Sequence, residues 1–522
     1  MLDTNLVPVS PIIPLLKPIN RELELKFLVS DSGFKASQKW SALGAAGRRL
    51  PSKRLRTVYF DTPRGDLQRH KMVLRMRGQR RGYMMTLKWS GGLSGGLFER
   101  GEIEIPTLNN QPDPALFGPN VAAMIADVIE DRVLTAVYET DIRRLTQRVQ
   151  TATSDIEVAF DSGFIIAGSI SRPIREIEME LKAGDSADLY RLGIALAEQY
   201  PVRLSSLAKS DRGAMLATGK SPEAARAKTD LQGNPTVDEA IAQGINGCLT
   251  QFAANWPAFE DGDQIGAVHQ MRVAMRRLRA MLGLFHHAFP APEFLVFRAE
   301  AKNVAALMGE ARNLDVFLNL LRQGPVAAFP NEPGFAAILA DCERRRAAAY
   351  ETVRALLAAP STTRFVLSVQ AFVARYGWRN ALSGEALPRL TAPAQDFASQ
   401  NLARLHNKLL KRGKHLATLA PHDRHQLRID LKKLRYAADL FGPLFPSKSQ
   451  TRAYLKAAAA LQDELGRFND LITATETVSH LTGNDTRAAG IILGWCSHSA
   501  TADDAKLSDT WRAFRKSRLF WG

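Results

Sequence analysis

The chain has 522 residues, 45% of them hydrophobic and 23% charged, which excludes a disordered or fibrous protein and is too long for one core. Its 69 Lys and Arg against 53 Asp and Glu give a net charge of +16, which favours polyanionic partners: phosphate polymers, nucleic acid or anionic lipid. Three widely spaced cysteines, Cys248, Cys342 and Cys496, exclude a disulfide framework and read as buried thiols of a reducing compartment.

Residues 1–18, with Pro8, Pro11, Pro14 and Pro18 around a brief apolar run, predict a flexible lead-in, too short and too broken for a signal segment or a membrane span. No later stretch reaches a spanning length without charges, so no membrane is expected and the location is expected to be cytoplasmic. From residue 20 to about 182 the dominant signal is period-two alternation, with strands near 21–29, 54–60, 72–77, 83–89, 98–105, 133–148, 155–161 and 172–182. Helices are expected near 36–46, 119–130 and 186–200. The fold class is α+β multidomain: an N-terminal antiparallel β-barrel with accessory helices over 19–218, a linker over 219–235, and an all-α region over 236–515.

The barrel's chemistry starts at Arg21-Glu22-Leu23-Glu24-Leu25-Lys26-Phe27, where alternation puts Glu22, Glu24 and Lys26 on one face and Leu23, Leu25 and Phe27 on the other. The pattern returns at Glu102 and Glu104, at Glu157, Ala159 and Asp161, and at Glu176, Glu178 and Glu180. Basic versions stand at Arg75, Arg77 and Lys88. A barrel lined by these residues confines many acids with many bases, an arrangement that is costly unless something inside uses it. Carboxylates hold a hard divalent cation such as Mg²⁺, and Arg and Lys hold phosphate oxygens, so the lumen reads as a metal-dependent polyphosphate site.

These residues resemble the CYTH, or triphosphate tunnel metalloenzyme, family. Glu22 to Lys26 is similar to its ExExK signature, and Tyr59-Phe60-Asp61-Thr62-Pro63, Leu74-Arg75-Met76-Arg77 and Thr86-Leu87-Lys88 resemble its next segments in order. Glu102, Arg144 after Thr140-Asp141, the strand from Glu176 to Glu180, and Lys209 with Arg212-Gly213 complete the set. The resemblance implies Mg²⁺- or Mn²⁺-dependent hydrolysis of inorganic triphosphate. On it, Arg75, Arg77, Lys88, Arg144, Lys209 and Arg212 bind substrate. Glu22, Glu24, Glu176, Glu178 and Glu180 are expected to hold metal. Lys26, Glu102 and Asp161 are expected to act at the reaction centre, Lys26 beside the scissile group and the two acids as activators of water or as further ligands. Thiamine triphosphatase and class IV adenylate cyclase activities share the motif, and a non-catalytic polyphosphate scaffold is the alternative of another class.

Beyond the linker, helical spacing takes over and the sequence repeats itself, with copies expected over about 236–385 and 386–515. His269-Gln270-Met271-Arg272 to Arg279 returns as His425-Gln426-Leu427-Arg428 to Arg435, 156 positions later. A second pair follows, Glu310 and Arg312 in one copy matching Glu464 and Arg467 in the other. Met271, Met275, Leu278, Leu282 and Phe285 form a core-facing stripe, as do Leu427, Leu431, Leu434, Ala438 and Phe441. The adjacent face carries His269, Arg272, Arg276 and Arg279 in one copy and His425, Arg428, Lys432 and Arg435 in the other, with Arg404 and Lys408 on a preceding helix. Their spacing suits an extended polyanion, with the histidines expected to add charge below about pH 6.5. This half resembles the CHAD family, which implies binding of inorganic polyphosphate. No zinc spacing occurs among its histidines, and no specific nucleic-acid motif is found.

Overall fold

The computed structural model describes residues 20–43, 51–130, 132–226, 231, 233–481, 486–502 and 504–522; the lead-in expected over 1–18 lies outside them. The strands are β1 (Asn20–Val29), β2 (Ser52–Asp61), β3 (Met72–Gly78), β4 (Tyr83–Ser94), β5 (Leu97–Thr107), β6 (Thr135–Gln150), β7 (Asp155–Ala167), β8 (Ile170–Ala183) and β9 (Val202–Leu204). Their order is β5-β4-β3-β2-β6-β7-β8-β1-β9, and β5 pairs back onto β1, so β1 to β8 close into an antiparallel barrel. The short β9 extends β1 at Phe27 to Val29.

Five helices accompany the barrel: α1 (Asp31–Ser37), α2 (Asp66–Arg69), α3 (Pro119–Ile129), α4 (Ser186–Gln199) and α5 (Lys209–Thr218). The helix expected at 36–46 forms earlier, because Ser30 takes an extended conformation and its hydroxyl accepts from the Gly33 amide. Alternation decides what each strand shows to either side. Leu25 and Phe27 are wholly buried outside the barrel wall under α4, where Gly193 permits the approach; a Cβ there would stand 3.0 Å from the Phe27 ring. On the opposite wall Leu74, Met76, Met85, Leu87 and Trp89 pack with Val121, Met124, Ile125 and Val128 of α3. With the outer face apolar and covered, the charged residues of β1 to β8 are left for the lumen.

Beyond the barrel the chain continues as α6 (Val237–Ala254), α7 (Trp256–Asp261), α8 (Gln264–Ala288), α9 (Pro292–Leu307), α10 (Gly309–Gln323), α11 (Pro325–Ala328) and α12 (Gly334–Ala358). Then follow α13 (Pro360–Ala374), α14 (Leu387–Thr391), α15 (Ala394–Arg412), α16 (Pro421–Phe441), α17 (Lys448–Ser479), α18 (Thr486–Ala502) and α19 (Asp504–Arg515). The chain divides into two compact units. The first comprises residues 1–224 with 256–263 and 358–371, and the second 225–255, 264–357 and 372–522. Both expected apolar stripes, on α8 and α16, are buried, and all three cysteines are buried and free. No single helix among the described residues is long and apolar enough to cross a membrane.

Candidate functional site

The lumen holds a cavity of about 220 Å³. β1 contributes Glu22, Glu24 and Lys26; β3 Arg75 and Arg77; β4 Lys88; β5 Arg100, Glu102 and Glu104; β6 Arg144; β7 Glu157; β8 Glu178, Glu180 and Lys182; and α5 Lys209. Of the residues expected here, Asp161, Glu176 and Arg212 do not line the cavity. Arg100, Glu104, Glu157 and Lys182 join it, although the motifs assign them no role. Arg100, Glu104 and Lys182 each stand two residues from an assigned site and Glu157 four from Asp161, so strict alternation is the signal that finds them.

Two parts of the lumen differ in how their charges are matched. At the α5 end, Arg144 donates to both oxygens of Asp161 at 2.7 and 2.6 Å and also to Glu178. Lys209 lies 2.7 Å from Asp161 and 2.8 Å from Glu178 and bonds Glu176, which also accepts from Arg212. Asp161, Glu176 and Glu178 bring ligand oxygens within 4.8 Å of one another, a spacing that suits a metal. The first two are 0% exposed, however, and all three are already neutralised by cations. Burial works to raise the Asp161 and Glu178 carboxyls, but the cations outweigh it and both lie below their usual range. This trio anchors Lys209 and Arg144, and of its members only Glu178 lines the cavity itself.

The other part is less balanced. Glu24 of β1 stands directly opposite Glu180 of β8, which stands opposite Glu157 of β7. Like charges directly opposite across strands repel, so three carboxylates abreast favour a cation between them. Burial, and after it Glu22, push the Glu180 carboxyl up against the pull of Lys182. Lys88 sits 2.6 Å from Glu22 and 3.1 Å from Glu102, and Arg75 lies 3.3 Å from Glu102 and 3.5 Å from Glu104. Lys26 bridges Glu24, at 2.6 Å, and Glu178. Burial lowers its pKa, but the two acids more than offset this and keep it protonated.

Arg77 contrasts with all of these. It donates to Thr57 Oγ1 at 3.2 Å and forms no ion pair among the described residues. Arg75 first, then burial, hold its pKa down to about 10. A half-buried guanidinium facing other cations favours an anion beside it.

In the second unit α8 packs against α16, and α10 against α17, bringing the two copies together. Arg272 and Arg276 of α8, Arg312 of α10, and Arg428 and Lys432 of α16 form one cluster in which no member makes an ion pair among the described residues. Burial, and after it Arg276, Arg312 and Arg428, bring Arg272 down to about 10. Burial, Arg276, Arg428 and Arg272 bring Lys432 down to about 6. The Nε atoms of Arg272 and Arg428 are buried without a hydrogen-bond partner. Each guanidinium lies near a glycine of the facing helix, Gly309 for Arg272 and Gly466 for Arg428, where a Cβ would stand 3.8 and 3.9 Å away. The second matched pair of the repeat thus corresponds at these glycines. It does not correspond at Glu310 and Glu464, because Glu310 is exposed while Glu464 is buried against Arg467 and Lys506.

His269 borders the cluster, but burial and the neighbouring arginines Arg312, Arg226, Arg272 and Arg276 lower its pKa to about 4, so the expected gain of charge below pH 6.5 does not apply to it. Burial, and after it Arg298 and Arg276, lower the pKa of Arg279. The remaining expected residues are held by their own neighbours: Arg404 by Asn401, Lys408 by Asp430, exposed His425 by Asn469, and Arg435 near Asp439. Lys432, expected outside the core on the basic row, is only 7% exposed.

Comparison with known proteins agrees with both halves. Residues 20–214 match the CYTH domain and residues 243–479 the CHAD domain, so the chain is a CYTH domain followed by a CHAD domain. An inorganic triphosphatase of Haemophilus influenzae is 34% identical over 166 residues, spanning 31% of this chain and 46% of that protein. The match thus covers less than half the length of that relative. An uncharacterised protein of Mycobacterium tuberculosis is 26% identical over 508 residues, 90% of this chain and 92% of its own. The crystal structure of the CHAD domain from the plant Ricinus communis is 28% identical, with a TM-score of 0.47, covering 57% of this chain and 97% of that one.

Proposed function

We propose that the barrel hydrolyses inorganic triphosphate to pyrophosphate and phosphate with a divalent cation, Mg²⁺ or Mn²⁺, and that the helical unit binds inorganic polyphosphate in a cytoplasmic setting. The observation that carries the first part is the meeting, in one cavity of about 220 Å³, of the row Glu24, Glu180 and Glu157 with Arg77, a half-buried cation that forms no ion pair among the described residues. The triphosphatase relative supports this choice of substrate. For the second part the support is the cluster of five unpaired cations contributed by both repeat copies.

Glu24, Glu180 and Glu157, with Glu22 beside them, are the carboxylates whose oxygens suit the cation. When bound, it neutralises phosphate oxygens and orients the substrate. Arg75, Arg77, Lys88 and Arg144 hold the remaining oxygens, which is most of what phosphoryl transfer asks of a protein. Lys26, kept protonated by Glu24 and Glu178, supplies positive charge beside the scissile group and cannot serve as the base. Asp161 and Glu176 fix Lys209, while Asp161 with Glu178 also fixes Arg144.

The test is phosphate release by the full chain from triphosphate, ATP, thiamine triphosphate and long-chain polyphosphate, with Mg²⁺ and with EDTA. Fast release from triphosphate that EDTA abolishes is expected. A preference for ATP or thiamine triphosphate would reassign the substrate, and binding of all four without turnover would make the protein a scaffold.

A further inference from the structure

The lumen contains a second arginine with unused donors. Arg100 lies two residues before Glu102 on β5, faces the cavity, and has a side chain 13% exposed. Its closest carboxylate, Glu24, is 4.0 Å away, and Arg100 forms no hydrogen bond among the described residues, although a guanidinium carries five N–H donors. What fixes it is an aromatic ring. Phe98, two residues earlier and therefore on the same face, is buried opposite Glu24. The Arg100 guanidinium stands 4.8 Å from the Phe98 centroid, and Lys26 Nζ stands 5.5 Å from that centroid. The ring thus holds two cations without neutralising either. A carboxylate in its place would have paired with both and left nothing for a substrate.

Resting on the triphosphatase reading, we infer that Arg100 is a phosphate-binding residue of the barrel site and that Phe98 is the positioning residue that aims it. Arg100 also faces Glu22 across the β1–β5 pair, so it sits among the carboxylates proposed for the cation. Glu22 and Glu24 would hold the cation beside it, so Arg100 would share that end of the substrate with the cation. Its planar fork suits two oxygens of one phosphoryl group, which a lysine cannot match.

The experiment uses the full chain with a triphosphate analogue whose bridging oxygens are replaced by NH, so that it is not cleaved. Calorimetry measures the Kd of the analogue with saturating Mg²⁺, and separately the Kd of Mg²⁺ alone, for wild type, Arg100→Gln, Arg100→Lys and Phe98→Leu. The expected result is a rise in analogue Kd of roughly 10- to 100-fold in Arg100→Gln, the range for a lost charge-assisted hydrogen bond. Arg100→Lys should recover part of it, and Phe98→Leu, which leaves the guanidinium in place but unaimed, should show a smaller rise. The Mg²⁺ Kd should hold or fall slightly in Arg100→Gln, since a cation near Glu24 is removed. Unchanged analogue affinity in Arg100→Gln, or an effect confined to Mg²⁺, overturns the inference, because Arg100 would then be only a distant counterion of Glu24. A wild type that binds no analogue and releases no phosphate removes the triphosphatase reading itself, and this inference with it.

Discussion

At the scale of single residues, the structure separates carboxylates that look alike in sequence. Glu24 stands opposite Glu180, itself opposite Glu157, whereas Asp161 is 0% exposed and held by Arg144 and Lys209. Glu24→Gln is therefore expected to lower kcat by at least about 100-fold, as loss of a charge aimed at the reacting group does, and to lower the melting temperature less than loss of Asp161 does, because Lys26 keeps Glu178 while repulsion from Glu180 is relieved. Asp161→Asn should instead destabilise the fold by about 1 to 3 kcal/mol, because it removes one buried acceptor of Arg144 and Lys209, which keep only Glu178 and Glu176. Asp161 is depressed below its usual pKa, so its contribution is complete above the unfolded value near 4 and is lost as pH falls through the folded one. Thermal unfolding and steady-state kinetics of the two variants decide this, and the reverse pattern would exchange their roles. Lys432 also makes stability rise with pH, but its contribution is unfavourable rather than favourable. Its pKa of about 6 against about 10.4 unfolded means the unfolded chain binds the extra proton between those values, so this residue makes stability rise with pH there and is most destabilising below pH 6. A polyanion beside Lys432 restores its charge, so polyphosphate binding at pH 7 to 8 should take up a proton and weaken as pH rises. Calorimetry in buffers of different ionisation enthalpy would show no dependence if this is wrong. The sequence does not reveal this behaviour, because a helical row identifies Lys432 as basic but not that three arginines act on it against the single acid Asp470.

At the scale of elements, alternation in the sequence identifies the strands well, since each needs one apolar and one polar face to sit between covering helices and a charged lumen. The signal fails where an element is short or defined by a cap. β9 is three residues long, and α1 begins at Asp31 because the Ser30 hydroxyl caps it, ahead of where apolar spacing alone would start a helix. The sequence motif Arg212-Gly213 is legible, but its reason is not: α5 packs against Tyr138, whose ring stacks on Tyr59 and whose hydroxyl donates to the Ser210 carbonyl. A Cβ at Gly213 would stand 2.2 Å from the Tyr138 ring. Gly213→Ala should therefore cost about 1 to 3 kcal/mol through overpacking, more than the ~1 kcal/mol that alanine returns in helix propensity. It should also lower kcat, because α5 carries Lys209 one turn earlier. A melting temperature equal to or above wild type, with unchanged kcat, would show that α5 accommodates the methyl group.

At the scale of the whole molecule, the boundary between the two domains of the sequence is not the boundary of the compact units. Segments 256–263 and 358–371, both far beyond the barrel in sequence, belong to the barrel's unit. Within that unit the Leu204 amide of β9 donates to Thr363 Oγ1 at 3.3 Å, and Arg203 pairs with Glu260 at 2.7 Å and lies over Trp256. Leu367 lies 3.2 Å from where a Cβ on Gly193 would stand, beside Leu25 and Phe27, the apolar residues behind Glu24 and Lys26. A chain cut back to residues 1–224 loses these partners, leaving a buried amide unsatisfied at about 1 to 3 kcal/mol and baring apolar surface on α4. It should melt at a lower temperature than the barrel does within the full chain, even though every residue of the lumen cavity is retained. Thr363→Val in the full chain isolates the hydrogen bond from the lost apolar cover, and should give a smaller fall of the same sign. Equal melting temperatures and equal kcat for the shortened and full chains would mean that the barrel is complete at residue 224, and that the two later segments add nothing to it.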